Sequence, residues 1–187
     1  PSQGLQRIFT KPRSKSHNSL PISELPEFIL KVNASEGVYP STVLAMKFII
    51  HTFVRTGELR FADWKEFDLN CTEPLWVIPG ERMKMGKTHH VPLSRQAVSI
   101  LEEMQQYSGP KGYVFPQVRK PEKPISENTL LYFSNRLGYA GRNTIHGFRS
   151  TVSTVLNESR EWHPDVIELQ QAHQETNKVR KAYNRAE

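Results

Sequence analysis

"STVLAMKFIIHTFV", residues Ser41 to Val54, is the stretch that constrains the fold most strongly. Its apolar residues fall on most sides of a helix rather than on one stripe, a pattern typical of a helix surrounded by protein. Ser41 belongs to the residue types that cap helices, so the pattern predicts a helix from there through Val54. We expect this helix at the centre of the core.

The segments around this helix predict a mainly helical α+β fold with a small antiparallel sheet. Upstream, "SELPEFILKV" is typical of a short amphipathic helix. Downstream, "LWVIP" and "VPLS" have strand composition and are joined by a basic turn that contains Gly86. The rest of the chain predicts a helix capped by Ser94, a strand-like "YVFP", a loop "QVRKPEKP", and helices that start at Ser126, near His146 and at Pro164, followed by "TNKVRKAYNRAE".

Composition limits the class of protein. The 187 residues are 37% hydrophobic, which suits one domain with a substantial core. A net charge of +6 favours an anionic partner, and nucleic acid is the commonest large one. The single cysteine, Cys71, excludes an internal disulfide, and the sequence contains no apolar run long enough for a membrane span.

Several side chains along the chain could act together on an anion. His146 and Arg149 lie three residues apart at the start of a predicted helix, outside the apolar face that includes Phe148. An imidazole beside a guanidinium favours binding of an anion. Each candidate also has a purely structural explanation, such as a basic side chain at a helix C-terminus. In chain order, the candidates are Arg55, Lys84, the pair His146 and Arg149, His173 and Tyr183.

The basic turn between the two predicted strands is a candidate DNA-binding surface. Lys84 lies at its tip, with Arg82, Lys87, His89 and His90 nearby. Such a turn can lie along a phosphate backbone, or it can simply be solvated. The residues alone leave both explanations open.

The order Arg…Lys…His-x-x-Arg…His…Tyr resembles the catalytic domain of tyrosine recombinases, specifically the integrases of prophages and genomic islands. The similarity extends from about Leu20 to the last residue. The matching segments are "TFVRTGELRFADWKEFDL", "WVIPGERMKMGKTHHVPLS", "YVFP", "SENTL", "RLGY", "HGFRSTVSTVLNE", "PDVIELQQAHQE" and "VRKAYNRAE". This resemblance implies the DNA breaking-rejoining fold.

The resemblance also assigns a catalytic role to each candidate. Glu58 is expected to orient the first arginine. Relatives often have "QLAH" where this chain has "QQAH", so we expect the polar Gln171 to loosen the packing beside His173. The implied catalytic residues are Arg55, the hairpin lysine Lys84 (with Lys87 on the same turn as the alternative), His146, Arg149, His173 and the nucleophile Tyr183.

The implied reaction is site-specific DNA recombination that integrates or excises a prophage or genomic island. Tyr183 would attack a phosphodiester and form a 3′-phosphotyrosyl link, while two arginines hold the non-bridging oxygens. Lys84 would protonate the departing 5′ oxygen, and the two histidines would supply hydrogen bonds and proton handling near neutral pH. The resemblance implies no metal or other cofactor, because cationic side chains neutralise the charge.

The resemblance further suggests how the chain is organised and what it binds. Residues 1–18 are expected to be a basic linker to upstream DNA-binding domains, and residues 19–187 a catalytic domain truncated after the tyrosine helix. The expected partners are double-stranded DNA attachment sites, three further copies in a homotetramer of the full-length protein on DNA, and accessory DNA-bending or excisionase proteins. We expect this fragment to be a monomer that binds DNA weakly, in the bacterial cytoplasm and not at a membrane.

Two other classes of protein fit part of the pattern. A DNA-binding module without catalysis would use the basic turn and linker, and Tyr183 would be incidental. A type IB topoisomerase-like nicking enzyme shares the same chemistry but acts alone, whereas recombinases act as a tetramer. The full set of candidate groups favours an enzyme over a binding module.

Overall fold

The computed structural model of the protein describes residues 18–172, in which short strands are inserted among helices. The mainly helical fold with a small antiparallel sheet is therefore confirmed. The helices are α1 (Leu25–Asn33), α2 (Pro40–Thr52), α3 (Thr56–Arg60), α4 (Arg95–Ser108), α5 (Thr129–Ser134), α6 (Gly147–Ser159) and α7 (Pro164–Gln170). The strands are β1 (Phe67–Asp68), β2 (Leu75–Ile78), β3 (His89–Pro92), β4 (Pro116–Gln117) and β5 (Lys120–Pro124).

Helix α2 lies at the centre of the core, as its apolar pattern predicts. It contacts α1, α3, α4 and α5, and it buries side chains on several sides. Phe48 of α2 packs against the rings of Phe67, Trp76 and Phe115, with centroids 6.3, 5.8 and 5.5 Å away. Because these rings come from the strands and from the segment before β4, this cluster joins the helical and sheet parts of the fold.

The ends of α2 differ from the prediction at both termini. The helix begins at Pro40 rather than being capped by Ser41, which is buried. Proline suits the first helical position because its missing N–H would have no partner there. The helix ends at Thr52, two residues before Val54, because Phe53 adopts the left-handed conformation with φ 56°.

The two strands predicted around the basic turn pair as expected, and β1 adds a third strand in the order β1-β2-β3. The pairing is antiparallel, with Trp76 opposite Val91 and Ile78 opposite His89. These four side chains are buried on one face, in the alternation that a half-buried strand requires. His89 therefore points towards the protein interior.

The segment "QVRKPEKP" was predicted as a loop, and that prediction is wrong in part. Lys120–Pro124 form β5, which pairs antiparallel with β4. Nearly all of β5 is exposed and both its ends carry or adjoin proline, so its sequence has no apolar alternation. The pairing comes from backbone hydrogen bonds, which composition does not reveal.

The later helices start where the sequence predicts, with one exception. Ser94 caps α4 by accepting a hydrogen bond from the Ala97 backbone N at 3.2 Å, and Pro164 is the first residue of α7. The expected start at Ser126 is wrong, since α5 begins at Thr129. The Ser126 carbonyl instead accepts from the Thr129 N at 3.2 Å in the preceding turn.

The start of α6 is packed closely against the first described residues. Thr144 N donates to the Asn18 carbonyl at 3.0 Å, and a Cβ placed on Gly147 would lie 2.2 Å from that same oxygen. Only glycine fits there, which explains the glycine that follows His146. Of the predicted linker 1–18, only Asn18 falls within the described residues.

No helix within residues 18–172 combines the length and the apolar character needed to cross a membrane. The predicted final segment "TNKVRKAYNRAE" lies outside the described residues.

Gly147→Ala should destabilise the fold. The added methyl group overlaps backbone atoms of Asn18 and Ser19, so the chain must shift, at a cost of about 1–3 kcal/mol in the free energy of unfolding. Urea unfolding followed by circular dichroism measures this change.

Gly57→Ala is the matched control. A Cβ at Gly57 meets nothing within 4 Å, so this substitution should stabilise slightly, by about 0.4–1 kcal/mol. Equal free energies of unfolding for the two variants would contradict the packing argument.

Candidate active site

Arg55 is fixed at the start of α3 by one carboxylate. Glu58 accepts a hydrogen bond from the Arg55 backbone N at 2.6 Å with Oε2, and one from Nη1 at 2.7 Å with Oε1. Glu58 is buried and the Arg55 side chain is 28% exposed, so the guanidinium reaches solvent while its anchor does not. The orienting contact expected of Glu58 is present.

Arg149, in the first turn of α6, is buried, although the helical spacing places it outside the apolar face of that helix. Only 3% of the residue is exposed. Its Nη1 donates to the Phe53 carbonyl and its Nη2 to the Gln171 carbonyl. Buried charge requires such partners, and these come from the ends of α2 and α7.

The guanidinium of Arg149 keeps its charge near neutral pH. Its pKa is lowered to about 10, mainly by burial and next by the positive charge of Arg55, while Glu58 and Glu168 oppose the shift. A pKa of about 10 leaves the group protonated at pH 7. Arg149 is therefore a buried cation close to a second cation.

The end of α7 brings the two arginines together. Arg55 Nη2 donates to the Ala172 carbonyl at 3.3 Å, next to the Gln171 carbonyl that Arg149 uses. Ala172 adopts the left-handed conformation with φ 50°. Two guanidiniums from distant parts of the chain thus bond to consecutive carbonyl groups.

Gln171 is itself buried and hydrogen-bonded, while the packing beside His173 lies outside the described residues. The residue is 3% exposed, and its Nε2 donates to the Arg149 carbonyl at 2.9 Å. Gln170 adds a hydrogen bond from Nε2 to the Thr52 carbonyl at 3.3 Å. The amide of Gln171 therefore provides a polar contact where an apolar side chain would provide packing.

His146 lies at the rim of a small polar pocket beside Arg149. It occupies the N-cap position of α6 and is exposed. The pocket has a volume of about 240 Å³ and carries hydroxyl, imidazole, amide and guanidinium groups. It is lined by His146, Arg149, Ser150, Ser153, Thr154 and Gln171.

The hairpin between β2 and β3 presents only part of its predicted basic surface. Lys84, Lys87 and His90 are exposed. Lys84 lies in a turn closed by a hydrogen bond from the Gly86 N to the Met83 carbonyl at 3.0 Å. These three side chains are therefore accessible to a binding partner.

Arg82 and His89 point inward and do not share that surface. Arg82 forms an ion pair with the buried Glu66, and His89 is 7% exposed. Burial is the main cause of the lowered pKa of His89, with Glu58 and a backbone hydrogen bond to Gln170 opposing it. Alternation along β3, which places position 89 on the face of Val91, is the sequence signal for this orientation.

The remaining predicted groups, His173 and Tyr183, lie outside the described residues. The chain enters that part directly from Ala172, whose carbonyl is bonded to Arg55. Position 173 therefore follows the site immediately in sequence. The geometry brings together Arg55, Glu58, His89 and Arg149, with His146 at the rim.

This arrangement suits a phosphate group. Guanidinium groups remain charged and bind non-bridging phosphate oxygens with paired N–H donors. Within residues 18–172, no three His, Cys, Asp or Glu side chains are grouped so as to hold a metal ion.

The contacts of Glu58 should make it more important for stability than an exposed partner of another arginine. Glu58→Gln removes the negative charge that accepts two hydrogen bonds, and we expect a loss of about 1–3 kcal/mol in the free energy of unfolding. Glu127→Gln is the control, because Glu127 is 78% exposed and lies 3.8 Å from Arg60. Equal losses in the free energy of unfolding, measured with urea, would contradict the role of Glu58 as the anchor of Arg55.

Comparison with known proteins identifies the family. Residues 22–187 match the model of the phage integrase family. The chain is 38% identical over 187 residues to the prophage integrase IntA of Escherichia coli K12, and the match covers all of this chain and 44% of that relative. This chain therefore spans less than half of the length of that relative.

Solved structures show the same fold. The XerH site-specific recombinase bound to difH substrate superposes with a TM-score of 0.70 at 22% identity, covering 95% of this chain and 53% of that one. A lambda integrase tetramer bound to a Holliday junction gives a TM-score of 0.64 at 15% identity, covering 92% of this chain and 52% of that one. The chain belongs to the phage integrase family and has the fold of a tyrosine recombinase catalytic domain.

Proposed function

We propose that this chain is the catalytic domain of an enzyme that integrates or excises a prophage or genomic island by site-specific recombination. The observation that carries the proposal is the meeting of Arg55 and Arg149 at the end of α7. The two guanidiniums lie next to the point where the chain continues to His173 and Tyr183. DNA cleavage requires a group that binds the phosphate and a nucleophile, for which Tyr183 is the candidate.

The clamp acts on charge that develops during the reaction. As phosphorus becomes five-coordinate, negative charge builds on the non-bridging oxygens, so Arg55 and Arg149 stabilise the transition state more than the ground state. Each guanidinium has five N–H donors, and Arg55 uses two groups, Nη1 and Nη2, for Glu58 and Ala172. A bound phosphate oxygen competes for Arg55 Nη2 with the neutral Ala172 carbonyl, which is a weaker acceptor than an anion.

The bonds and protons balance without hydrolysis. The Tyr183 oxygen forms a bond to phosphorus, the bond from phosphorus to the 5′ oxygen breaks, and Lys84 donates a proton to that oxygen. The phenol has a pKa of about 10, so His146 or His173 assists by handling its proton. The product is a 3′-phosphotyrosyl link, which conserves the bond for joining to another DNA end.

The partners follow from the same proposal. The XerH structure contains its difH substrate and the lambda integrase structure a tetramer on a Holliday junction, so we propose double-stranded attachment sites and a tetramer on DNA for this protein. Accessory DNA-bending or excisionase proteins are further proposed partners. Lys84, Lys87 and His90 would lie along the phosphate backbone, and the site of action would be DNA in the bacterial cytoplasm.

Tyr183→Phe should abolish covalent attachment to DNA. On a nicked duplex that spans the junction between the mobile element and its chromosome, the unsubstituted chain should form an adduct that survives denaturing electrophoresis. Arg149→Ala should slow adduct formation about 10²–10³-fold, as removal of a charge-stabilising donor does in other enzymes. An adduct with the Tyr183→Phe chain would contradict the nucleophile assignment.

Lys84→Ala should show a defect that depends on the leaving group. Replacing the bridging 5′ oxygen with sulfur gives a thiolate leaving group, whose acid has a pKa of about 8.5, far below the pKa of an alcohol, so no proton donor is needed. Lys84→Ala should cleave the ordinary duplex about 10²–10⁴-fold more slowly and the sulfur-substituted duplex normally.

Lys87→Ala distinguishes the two lysines of the turn. It should cleave both duplexes at similar, near-normal rates. If Lys87→Ala shows the leaving-group dependence and Lys84→Ala does not, the proton donor is Lys87.

A further inference from the structure

Arg82 lies two residues before Lys84, and its guanidinium is bound by groups of the protein. Its Nη2 forms an ion pair with Glu66, and its Nη1 donates to the Glu58 carbonyl at 3.3 Å. The Arg82 side chain is 23% exposed, against 5% for that of Glu66. These contacts point the guanidinium away from the exposed face of the hairpin.

Glu66 is a fixed anchor for this ion pair. Its Oε2 also accepts a hydrogen bond from Trp76 Nε1 at 3.0 Å, and Trp76 is fully buried in the sheet. A buried carboxylate needs partners such as these, because its charge is otherwise poorly solvated. Arg82 is therefore tied to the rigid part of the fold.

The same contacts lead to the candidate active site. The carbonyl of Glu58 accepts a hydrogen bond from Arg82, and the carboxylate of the same residue accepts one from Arg55. Arg82 and Arg55 are thus bound to opposite ends of one buried residue. Arg82 thereby connects the hairpin to the residue that holds Arg55.

Close contacts within the turn connect Arg82 to Lys84 at the tip of the hairpin. A Cβ on Gly80 would lie 2.6 Å from the Gly86 carbonyl, so the two sides of the turn touch at that point. Met83 N donates to the Gly80 carbonyl at 2.9 Å, and Met83 packs against the core. Lys84 follows Met83 directly, inside the turn closed by the hydrogen bond from the Gly86 N to the Met83 carbonyl.

We propose that Arg82 is a positioning residue, which sets the place of Lys84 relative to the phosphate clamp through its contacts with Glu66 and Glu58. This role rests on the proposed function, in which Lys84 donates the proton to the leaving oxygen. It replaces the sequence-based expectation that Arg82 binds DNA. An arginine paired with a buried carboxylate is less suited to a phosphate than the exposed lysines nearby.

The test uses the double variant Arg82→Gln with Glu66→Gln, because removal of Arg82 alone leaves a buried charge unpaired. The amide introduced by Glu66→Gln keeps an oxygen that can accept from Trp76 Nε1, and thermal melting checks that the variant folds. Arg82→Lys is the conservative variant, since lysine keeps the charge but lacks the two-pronged geometry. Arg119→Gln, at an exposed position in the other hairpin, is the control.

Cleavage is measured on the ordinary duplex and on the duplex with a bridging 5′ sulfur. We expect the double variant to lose about 10- to 100-fold in rate on the ordinary duplex, the effect of misplacing a catalytic group, and to keep a near-normal rate on the sulfur duplex. The cleavage rate of Arg82→Lys on the ordinary duplex should lie between the rates of the double variant and the unsubstituted chain. The control should match the unsubstituted chain on both duplexes.

Other outcomes would overturn this role. Equal losses on both duplexes would place the effect on the clamp or on the fold. Weaker DNA binding with a smaller dependence on salt would make Arg82 a phosphate contact. An unchanged rate on the ordinary duplex would show that the ion pair does not position Lys84. If the unsubstituted chain cleaves neither duplex, the proposed function itself fails, and this role fails with it.

Discussion

The buried guanidinium of Arg149 is the interaction on which the site depends. It donates to the carbonyls of Phe53 and Gln171, which are the C-cap residues of α2 and α7. Carbonyls at the end of a helix have no partner within the helix and carry partial negative charge. A buried cation and two helix ends therefore satisfy one another, and three helices meet at one point.

This arrangement places the charged group of Arg149 within the packed interior of the fold rather than on its surface. Arg55 is added to it through Ala172 on one side and Glu58 on the other. The main chain around the arginines is therefore defined by the same bonds that define the site. A site built on rigid elements holds its geometry better than one built on loops.

The hairpin is connected to this framework through Glu58 and Glu66. Arg82 joins Glu66 and the Glu58 carbonyl, and the inward-facing His89 lies near the charges of both site arginines. Basic residues that look alike in the sequence thus divide into an exposed group and an internal group. The exposed group can contact DNA, and the internal group holds the hairpin in place.

Hydrophobic periodicity and local capping signals were sufficient for the central helix α2, the paired strands around Gly86, the Ser94 cap and the start of α7 at Pro164, because each depends on neighbours in the sequence. The order of the candidate catalytic residues along the chain was sufficient to recognise the family. The burial of Arg149, the left-handed Phe53 that ends α2, the strand Lys120–Pro124 and the inward direction of Arg82 could not be read from local patterns. The strand Lys120–Pro124 depends on pairing with the neighbouring β4, which its composition does not reveal. The burial of Arg149 and the direction of Arg82 are decided by carbonyl and carboxylate groups from distant parts of the chain, and these groups meet only when the chain has folded.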